Sequence, residues 1–363
     1  MNHETVIVDL GNSLLKGMKE GIPSSAVVVP HSLKHVTAEK FRETQSRMKK
    51  GLGRGVGTAH DLFSYNDQYY VVGEKAEQMG ADTRRSGGVK YSKEYYAPLL
   101  MSVLLRLYPN GFDGTLAIWA AFPPGDIRHV DVLQSSIGGK HVVTLDDGRL
   151  ITFKVKKVYT YDEPVGGLWN YLLNGDGKHY RKGVATGYGL CVDVGAKISN
   201  LVPFYSDGRV SYERSVSVDL GIHDVMQQVS DILLATPDYQ DSFRNVRGSL
   251  PFDEDMRNAL KYGQYAAGGY DLDALGAVAD ATTNLRMQIK QVYEQQLGGA
   301  RAYKFIVITG GGGGLMFRQL VEHVLNFAPE RVYPAADNLD LMHLANMYGG
   351  DKAWAAMQAQ GVR

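Results

Sequence analysis

The sequence predicts an α/β protein with covered sheets. Three observations carry this. Valine- and tyrosine-rich runs bounded by Gly, Pro or Asn read as strands. Strands and helically spaced segments alternate over much of the chain. Two apolar strand patterns run directly into glycine-containing turns, as strands buried on both faces do. A chain of 363 residues has room for two domains of ordinary size. Its 44% hydrophobic and 21% charged content is that of a soluble globular protein with enough apolar side chains for a core.

Taken in order, "ETVIVDL", "SSAVVVP" and "LFSYNDQYYVVGE" read as strands. Between the last two, "FRETQSRMKKGLGRGVGTAHD" at residues 41–61 is basic and glycine-rich, and is expected to be a mobile surface loop. "SKEYYAPLLMSVLLRLY" suits a buried helix, with Pro98 near its start. "GTLAIWAAFPPG" reads as a buried strand ending in a double-proline turn. "HVVTLDDGRLITFKVKKVYTYDEP" carries a hairpin signal at Asp147-Gly148. Beyond it, "VGGLWNYLLNGDG" looks helical, and "GYGLCVDVGAKISNLVPFYSDGRV" reads as strand, turn and strand. "GIHDVMQQVSDILLA" and "LGAVADATTNLRMQIKQVYEQQL" have helical spacing, and "KFIVITGGGGGLMFRQLVEHVL" is a buried strand, five glycines and a helix.

Charge and cysteine content narrow the function. Lys+Arg and Asp+Glu both number 39, which argues against a dedicated nucleic-acid binder and leaves self-association electrostatically permitted. The single cysteine, Cys191, excludes an internal disulfide and any cysteine-rich metal site, and its apolar run marks it as a buried thiol. "MNHETVIVDLG" lacks the pattern of a signal peptide, and no stretch approaches the about 18 apolar residues of a membrane span. The expected location is cytoplasmic, with no membrane partner.

"VIVDLGNSLLKG" admits two readings. One is an ordinary hairpin turning at Gly-Asn. In the other, the amides of Gly11, Asn12 and Ser13 and the ammonium of Lys16 face a phosphate, while Asp9 serves a metal. The pattern recurs half a chain later in "LCVDVGAKISN", with Asp193 in place of Asp9 and Gly195, Ala196 and Lys197 forming the turn. Two such elements facing one cleft could hold a nucleotide, with Mg²⁺ kept mainly through waters by Asp9 and Asp193. In "ITGGGGGLM", a buried strand, consecutive glycines and then a helix would bring bare backbone against a ligand, with the helix N-terminus favouring an anion; the other reading of the glycines is a flexible linker. Neither a P-loop nor a Gly-x-Gly-x-x-Gly fingerprint is present.

In this order, the two Asp-x-Gly hairpins and the strand with its glycine run resemble the superfamily of actin, the sugar kinases and the chaperone ATPases. More narrowly, the chain resembles the bacterial plasmid-segregation actins of the ParM type and their archaeal relatives. The resemblance implies an actin-like (ribonuclease H-like) two-lobed ATPase fold with a nucleotide cleft between the lobes. The implied parts are a first lobe over 1–162, a second over 163–335 and a helical return over 336–363. It also implies that Asp9, Gly11, Asn12 and Lys16 form the first phosphate loop. Glu163, in "YDEPVGGLWNYLL", would orient the attacking water or act as its base. Asp193 and Gly195 would belong to the second phosphate loop, where Ser199 and Asn200 depart from the common Thr and Asp. Gly310, Gly311 and Gly312 would lie under the adenosine. Asn346 and Gly349 would belong to a second connecting helix, and Lys261 would reach the ribose and base pocket. The alternative readings of these two are structural: Glu163 as a helix-terminal carboxylate stabilised by the dipole, and Lys261 as a solvated helical lysine. His31, His35 and His60 show no metal spacing. The basic "RRSGGVKYSK" suits either a neighbouring subunit or solvent.

The implied function is a filament-forming enzyme that binds and hydrolyses ATP, with GTP as the other candidate, and Mg²⁺ as cofactor. Implied partners are further copies of the chain, head to tail, and a DNA-binding adaptor protein in plasmid segregation, with no direct nucleic-acid contact. The competing readings are a small-molecule kinase and a nonpolymerising regulatory ATPase of the same superfamily.

Overall fold

The computed structural model describes residues 2–11, 13–49, 60–81, 91–123, 126, 129–178, 187–205, 209–236, 253–267, 270–325 and 327–361. Asn12, Pro124, residues 50–59 and most of the basic "RRSGGVKYSK" stretch lie outside them. The chain divides into two compact units. The first comprises Met1–Gly166, Gly175–Gly177 and Gly350–Arg363, and the second Gly167–Asn174 and Lys178–Gly349. Apart from the short return at Gly175–Gly177, the divisions fall at 166/167 and 349/350, compared with 162/163 and 335/336 from the sequence.

The first unit is built on a nine-stranded sheet in the order β3-β2-β1-β7-β9-β8-β5-β6-β4. Its strands are β1 (Asn2–Leu10), β2 (Leu14–Lys19), β3 (Ile22–Pro30), β4 (Leu33–Val36), β5 (Leu62–Tyr65), β6 (Gln68–Val72), β7 (Gly114–Phe122), β8 (Gly139–Leu145) and β9 (Leu150–Asp162). β1, β7 and β9 run parallel, and the β1–β2 and β2–β3 pairs are antiparallel. β5 and β6 form a tight hairpin whose turn residues, Asn66 and Asp67, both have positive φ, as a primed two-residue turn requires. The predicted hairpin at Asp147-Gly148 joins β8 to β9.

Two expectations are corrected in this unit. "LFSYNDQYYVVGE", read as one strand, is the β5–β6 hairpin, because Asn66 and Asp67 take the positive φ that turns the chain. The first part of the predicted loop at 41–61 is helical, because α1 spans Ala38–Lys49. The Thr37 hydroxyl accepts from the Lys40 amide at 3.2 Å, a cap that starts the helix. Phe41 then anchors it, buried beneath the sheet's outer strands with its ring 4.9 Å from that of Tyr69. Further on come α2 (Gly73–Gln78), α3 (Lys93–Leu107), α4 (Val130–Ile137) and α5 (Glu163–Leu172). α3 is buried nearly all round, which explains why its sequence is apolar on every face.

In the second unit the sheet order is β12-β11-β10-β15-β16. Its strands are β10 (Gly189–Val194), β11 (Ser199–Phe204), β12 (Val216–Val218), β15 (Phe305–Thr309) and β16 (Val332–Pro334). A separate two-stranded hairpin is made by β13 (Gln264–Ala267) and β14 (Tyr270–Asp273). The helices are α6 (Ile222–Ala235), α7 (Asp253–Tyr262), α8 (Leu275–Gln291), α9 (Gly311–Leu315) and α10 (Phe317–His323). β10, β11 and β15 are buried at every position, consistent with a sheet covered on both faces. A C-terminal helix, Ala345–Ala359, follows.

The two sheets repeat one plan. β3-β2-β1-β7-β9 and β12-β11-β10-β15-β16 have the same order and the same strand directions: a hairpin and a third antiparallel strand on one side, two parallel strands on the other. The sequence repeat between "VIVDLGNSLLK" and "LCVDVGAKISN" is therefore a repeat of topology.

Candidate functional site

In the first unit the site begins at the carboxyl ends of β1, β7 and β9. Asp9 pairs in register with Ala121, and Phe122 with Asp162, so Asp9 and the residue after β9, Glu163, emerge from the same end of the sheet. This is the end at which open parallel sheets bind ligands. Asp9 is 1% exposed, and its carboxylate accepts from the Lys16 ammonium at 2.7 Å. The two stand directly opposite on β1 and β2, so register alone brings them together. Glu163 is half-buried and opens α5, where the helix field favours a carboxylate.

Two buried phenols show that Asp9 and Glu163 share one neighbourhood. Burial pushes the Tyr96 hydroxyl well above its ordinary pKa, and the charges of Glu163 and Asp9 push it further. Burial does the same to Tyr161, again with Asp9 and Glu163 adding to the shift. Neither tyrosine ionises near neutral pH.

Sequence reading missed the residue that holds the first turn. His31 is buried, its backbone N–H donates to the Ser13 carbonyl at 2.8 Å, and its ring Nδ1 bonds the Gly11 carbonyl. The ring also stacks on Tyr95. A lone histidine after Pro30 carries no local signal for this role, which arises from the β2–β3 pairing. Gly11 and Ser13 lie at the turn and are half-buried; Asn12 falls outside the described residues.

The second turn is held by α6. The Ile222 amide donates to the Gly195 carbonyl at 3.0 Å and the His223 amide to the Ala196 carbonyl at 2.9 Å. A planar trans peptide points its C=O and N–H in opposite directions. The amides of Ala196 and Lys197 are therefore turned away from α6, as an anion cradle needs. Gly195 differs: its N–H donates to the Ile198 carbonyl at 3.0 Å and closes the turn instead. The close approach of α6 requires Gly221, since a Cβ there would lie 2.4 Å from Ala196 backbone atoms.

Asp193 is 4% exposed and pairs in register with Thr309, the last residue of β15. Gly310 follows with φ +83°, and a Cβ on it would meet Asp193 Oδ1 at 2.3 Å and the Val194 carbonyl at 2.4 Å. Only glycine fits this conformation and this contact. The glycine run thus packs on the second hairpin, as the paired motifs imply. The run itself differs from the sequence expectation of five glycines preceding a helix: residues 311–314 already form the first turn of α9. Gly311 is exposed and Gly312 buried against Val194 and Ile222. Thr309 donates its hydroxyl to Asn346 Oδ1 at 3.2 Å, which places Asn346 at the end of β15.

The departures at Ser199 and Asn200 have structural partners. The Ser199 hydroxyl donates to the Leu220 carbonyl at 2.9 Å, and Asn200 Oδ1 accepts from the Ser217 hydroxyl at 2.7 Å. Lys261 lies in the last turn of α7 and pairs with Asp340 at 2.6 Å; that hydrogen bond keeps the ammonium charged above its ordinary range. Cys191 is buried, and burial followed by the charge of Asp193 pushes its thiol well up, so it is an inert core residue.

Among the described residues no group of three or more His, Cys, Asp and Glu side chains stands together as a metal cage. Each hairpin instead contributes one buried strand-end carboxylate, Asp9 or Asp193. This donor set fits Mg²⁺, which keeps its waters and is commonly bound through one or two carboxylates plus phosphate oxygens. No helix among the described residues is long and apolar enough to cross a membrane.

Two sheets of one plan, each with a strand-end aspartate and a glycine turn, make up the actin-like fold. Residues 8–166 match the family described as the N-terminal domain of actin-like proteins, and the two-lobed α/β fold is that of actin-like structures. The structure of Ta0583, an archaeal actin homologue, in complex with ADP is 18% identical with a TM-score of 0.71, covering 97% of this chain and 99% of that one. The actin-like protein Alp7A is 16% identical at TM-score 0.71, covering 99% and 98%. A 15-stranded ParM filament from Clostridium botulinum is 18% identical at TM-score 0.66, covering 97% and 100%. A comparison with curated proteins finds no match.

Proposed function

We propose that the chain is a nucleotide-dependent polymerising ATPase that forms cytomotive filaments. The repeated hairpin carries the reading: Asp9 and Gly11 on β1–β2, and Asp193 and Gly195 on β10–β11, occupy equivalent places in two sheets of one topology. The fold it shares with an archaeal actin homologue solved with ADP and with a ParM filament supports the same reading.

In this reading the phosphates of one ATP, or GTP, engage both turns. Ser13 and the amides of Ala196 and Lys197 contribute donors, along with Gly11 and Asn12 of the first turn. The Lys16 ammonium has three N–H donors, of which one is engaged by Asp9, and offers the others to phosphate oxygen. Mg²⁺, when bound, would neutralise phosphate charge, with Asp9 and Asp193 holding its waters. Glu163 orients the attacking water and accepts its proton, a role open to a half-buried carboxylate. Gly310, Gly311 and Gly312 lie under the adenosine. Lys261 contributes to the ribose and base pocket only by leaving Asp340, to which it is now bonded.

Nucleotide-bound copies would add head to tail in an open heterologous contact, and hydrolysis would weaken that contact. Plasmid or DNA segregation through a DNA-binding adaptor, in the cytoplasm, is the biological role proposed. Light scattering and pelleting with ATP, with ADP and without nucleotide test this. ATP-dependent, salt-tolerant pelleting is the expected result. Phosphate transfer to a sugar or acid without pelleting would instead identify a small-molecule kinase, and hydrolysis without either would identify a nonpolymerising regulator.

A further inference from the structure

Four polar residues stand abreast across the second sheet. Asn200 on β11 pairs with Ser217 on β12, Asp193 on β10 pairs with Asn200, and Thr309 on β15 pairs with Asp193. Residues directly paired across strands project to the same face, so Ser217, Asn200, Asp193 and Thr309 form one row. Asn200, Asp193 and Thr309 are all buried within strands whose other residues are mostly apolar, Ser199 being the polar neighbour on β11. A buried polar row in a covered sheet carries a desolvation cost that apolar residues would avoid, and it ends at the glycine turn of the candidate site.

The orientation of the Asn200 amide is set from outside the site. Ser217 donates its hydroxyl to Asn200 Oδ1 at 2.7 Å. An amide carries its acceptor and its two donors on opposite branches. With Oδ1 held toward β12, Nδ2 is turned toward β10, where Asp193 is the residue abreast. On the other side, the Gly310 backbone packs so closely that a Cβ would lie 2.3 Å from Asp193 Oδ1. The carboxylate thus has Asn200 abreast on one side and the Gly310 backbone on the other.

We propose that Asn200 is a positioning residue for Asp193, locked by Ser217 so that its amide donor, directly or through one water, fixes the carboxylate presented to the cation of a bound nucleotide. This rests on the reading of Asp193 as a group serving the nucleotide-bound metal. It also accounts for an amide at a position where the resemblance leads one to expect an aspartate. Two carboxylates directly opposite each other repel, whereas an amide steers Asp193 without adding charge.

The test is binding of a fluorescent ADP analogue by the full chain, in Mg²⁺ and in excess chelator. Partner groups one step behind a ligand are commonly worth about tenfold or more in metal affinity. Asn200→Ala is expected to weaken binding by about tenfold in Mg²⁺ and to leave binding in chelator unchanged. Ser217→Ala, on the edge strand, is expected to give a smaller loss of the same kind, and Ser217→Thr to restore it. Equal losses in Mg²⁺ and chelator, or none in either, would overturn the proposal. Asp193→Ala run alongside separates the two readings. If it loses the Mg²⁺-dependent share of affinity and Asn200→Ala does not, only the positioning role fails. If Asp193→Ala binds as the wild type does, the metal reading itself fails.

Discussion

The Lys16 ammonium lies 2.7 Å from the Asp9 carboxylate, with the two residues directly opposite on β1 and β2 and both buried. The pair ties to each other the two residues of the first hairpin proposed to serve phosphate and metal. Removing one partner leaves a buried charge, which is far more costly than removing both. Lys16→Met is therefore expected to destabilise the fold by about 3 kcal/mol in urea unfolding. Lys16→Met with Asp9→Leu should recover part of that loss. If the single change costs nothing, the pair is not the buried contact described.

The Glu163 prediction separates chemistry from binding. Glu163→Ala should keep nucleotide affinity near that of the wild type while slowing hydrolysis by about 10²-fold or more, the usual share of a positioned base. Phosphate release and nucleotide binding measured on one preparation check it, and longer-lived polymers should accompany the slower turnover. Unchanged turnover would remove Glu163 from the reaction and leave it as a carboxylate at the start of α5.

Gly310→Ala tests the contact between the glycine run and the second hairpin. The substitution meets a positive φ of +83° and places a Cβ 2.3 Å from Asp193 Oδ1 and 2.4 Å from the Val194 carbonyl. Backbone strain and overpacking together should cost roughly 2–3 kcal/mol. Nucleotide affinity should fall with it, because Asp193 must move. A thermal melt and a binding titration measure both, and a variant as stable as the wild type would contradict the geometry.

Asp351 gives a pH prediction within the first unit. It is buried, its carboxylate accepts from the Gly21 amide at 2.8 Å, and burial followed by the charge of Glu20 raises its pKa despite that bond. A carboxyl whose folded pKa is raised binds its proton more tightly when folded. Its favourable contribution is therefore present below the unfolded carboxyl range and is lost as pH rises through the folded value. Asp351→Asn keeps an acceptor for Gly21 and removes the charge. It should raise the melting temperature at pH 7 and do so less at pH 4, with melting curves at the two values as the check.

What could be read from the sequence follows from how local each signal is. The two hairpins were legible because strand, aspartate, glycine turn and returning strand lie within about a dozen consecutive residues, as both β1–β2 and β10–β11 do. The turn at Gly148 is local in the same way, whereas the one at Asn66-Asp67 was read as part of a continuous strand because tyrosines and valines flank it on both sides. α1 was hidden because the glycines after residue 50 dominate the composition of 41–61, while the anchors that make it a helix are one buried Phe41 and a cap at Thr37. The helical glycines 311–314 run against propensity by up to about 1 kcal/mol each, and only their packing on Val194, Ile222 and Met342 makes the helix form. His31, Ser217 and Thr309 gave no signal, and Asn200 showed only as a departure from the common aspartate, because their roles depend on which strands pair and in what register. Sequence separations of 20 to 116 residues divide them from Gly11 or Asp193, with Asn200 the exception only through the hairpin itself.

The central claim is that both hairpins serve one nucleotide. Calorimetric titration of the wild type, Lys16→Ala and Asp193→Ala with ATP and Mg²⁺ under conditions that block assembly tests it most directly. The account predicts one site per chain in the wild type and a loss of about tenfold or more in each variant, the scale of a charge-assisted contact. An unchanged affinity in either variant would contradict it.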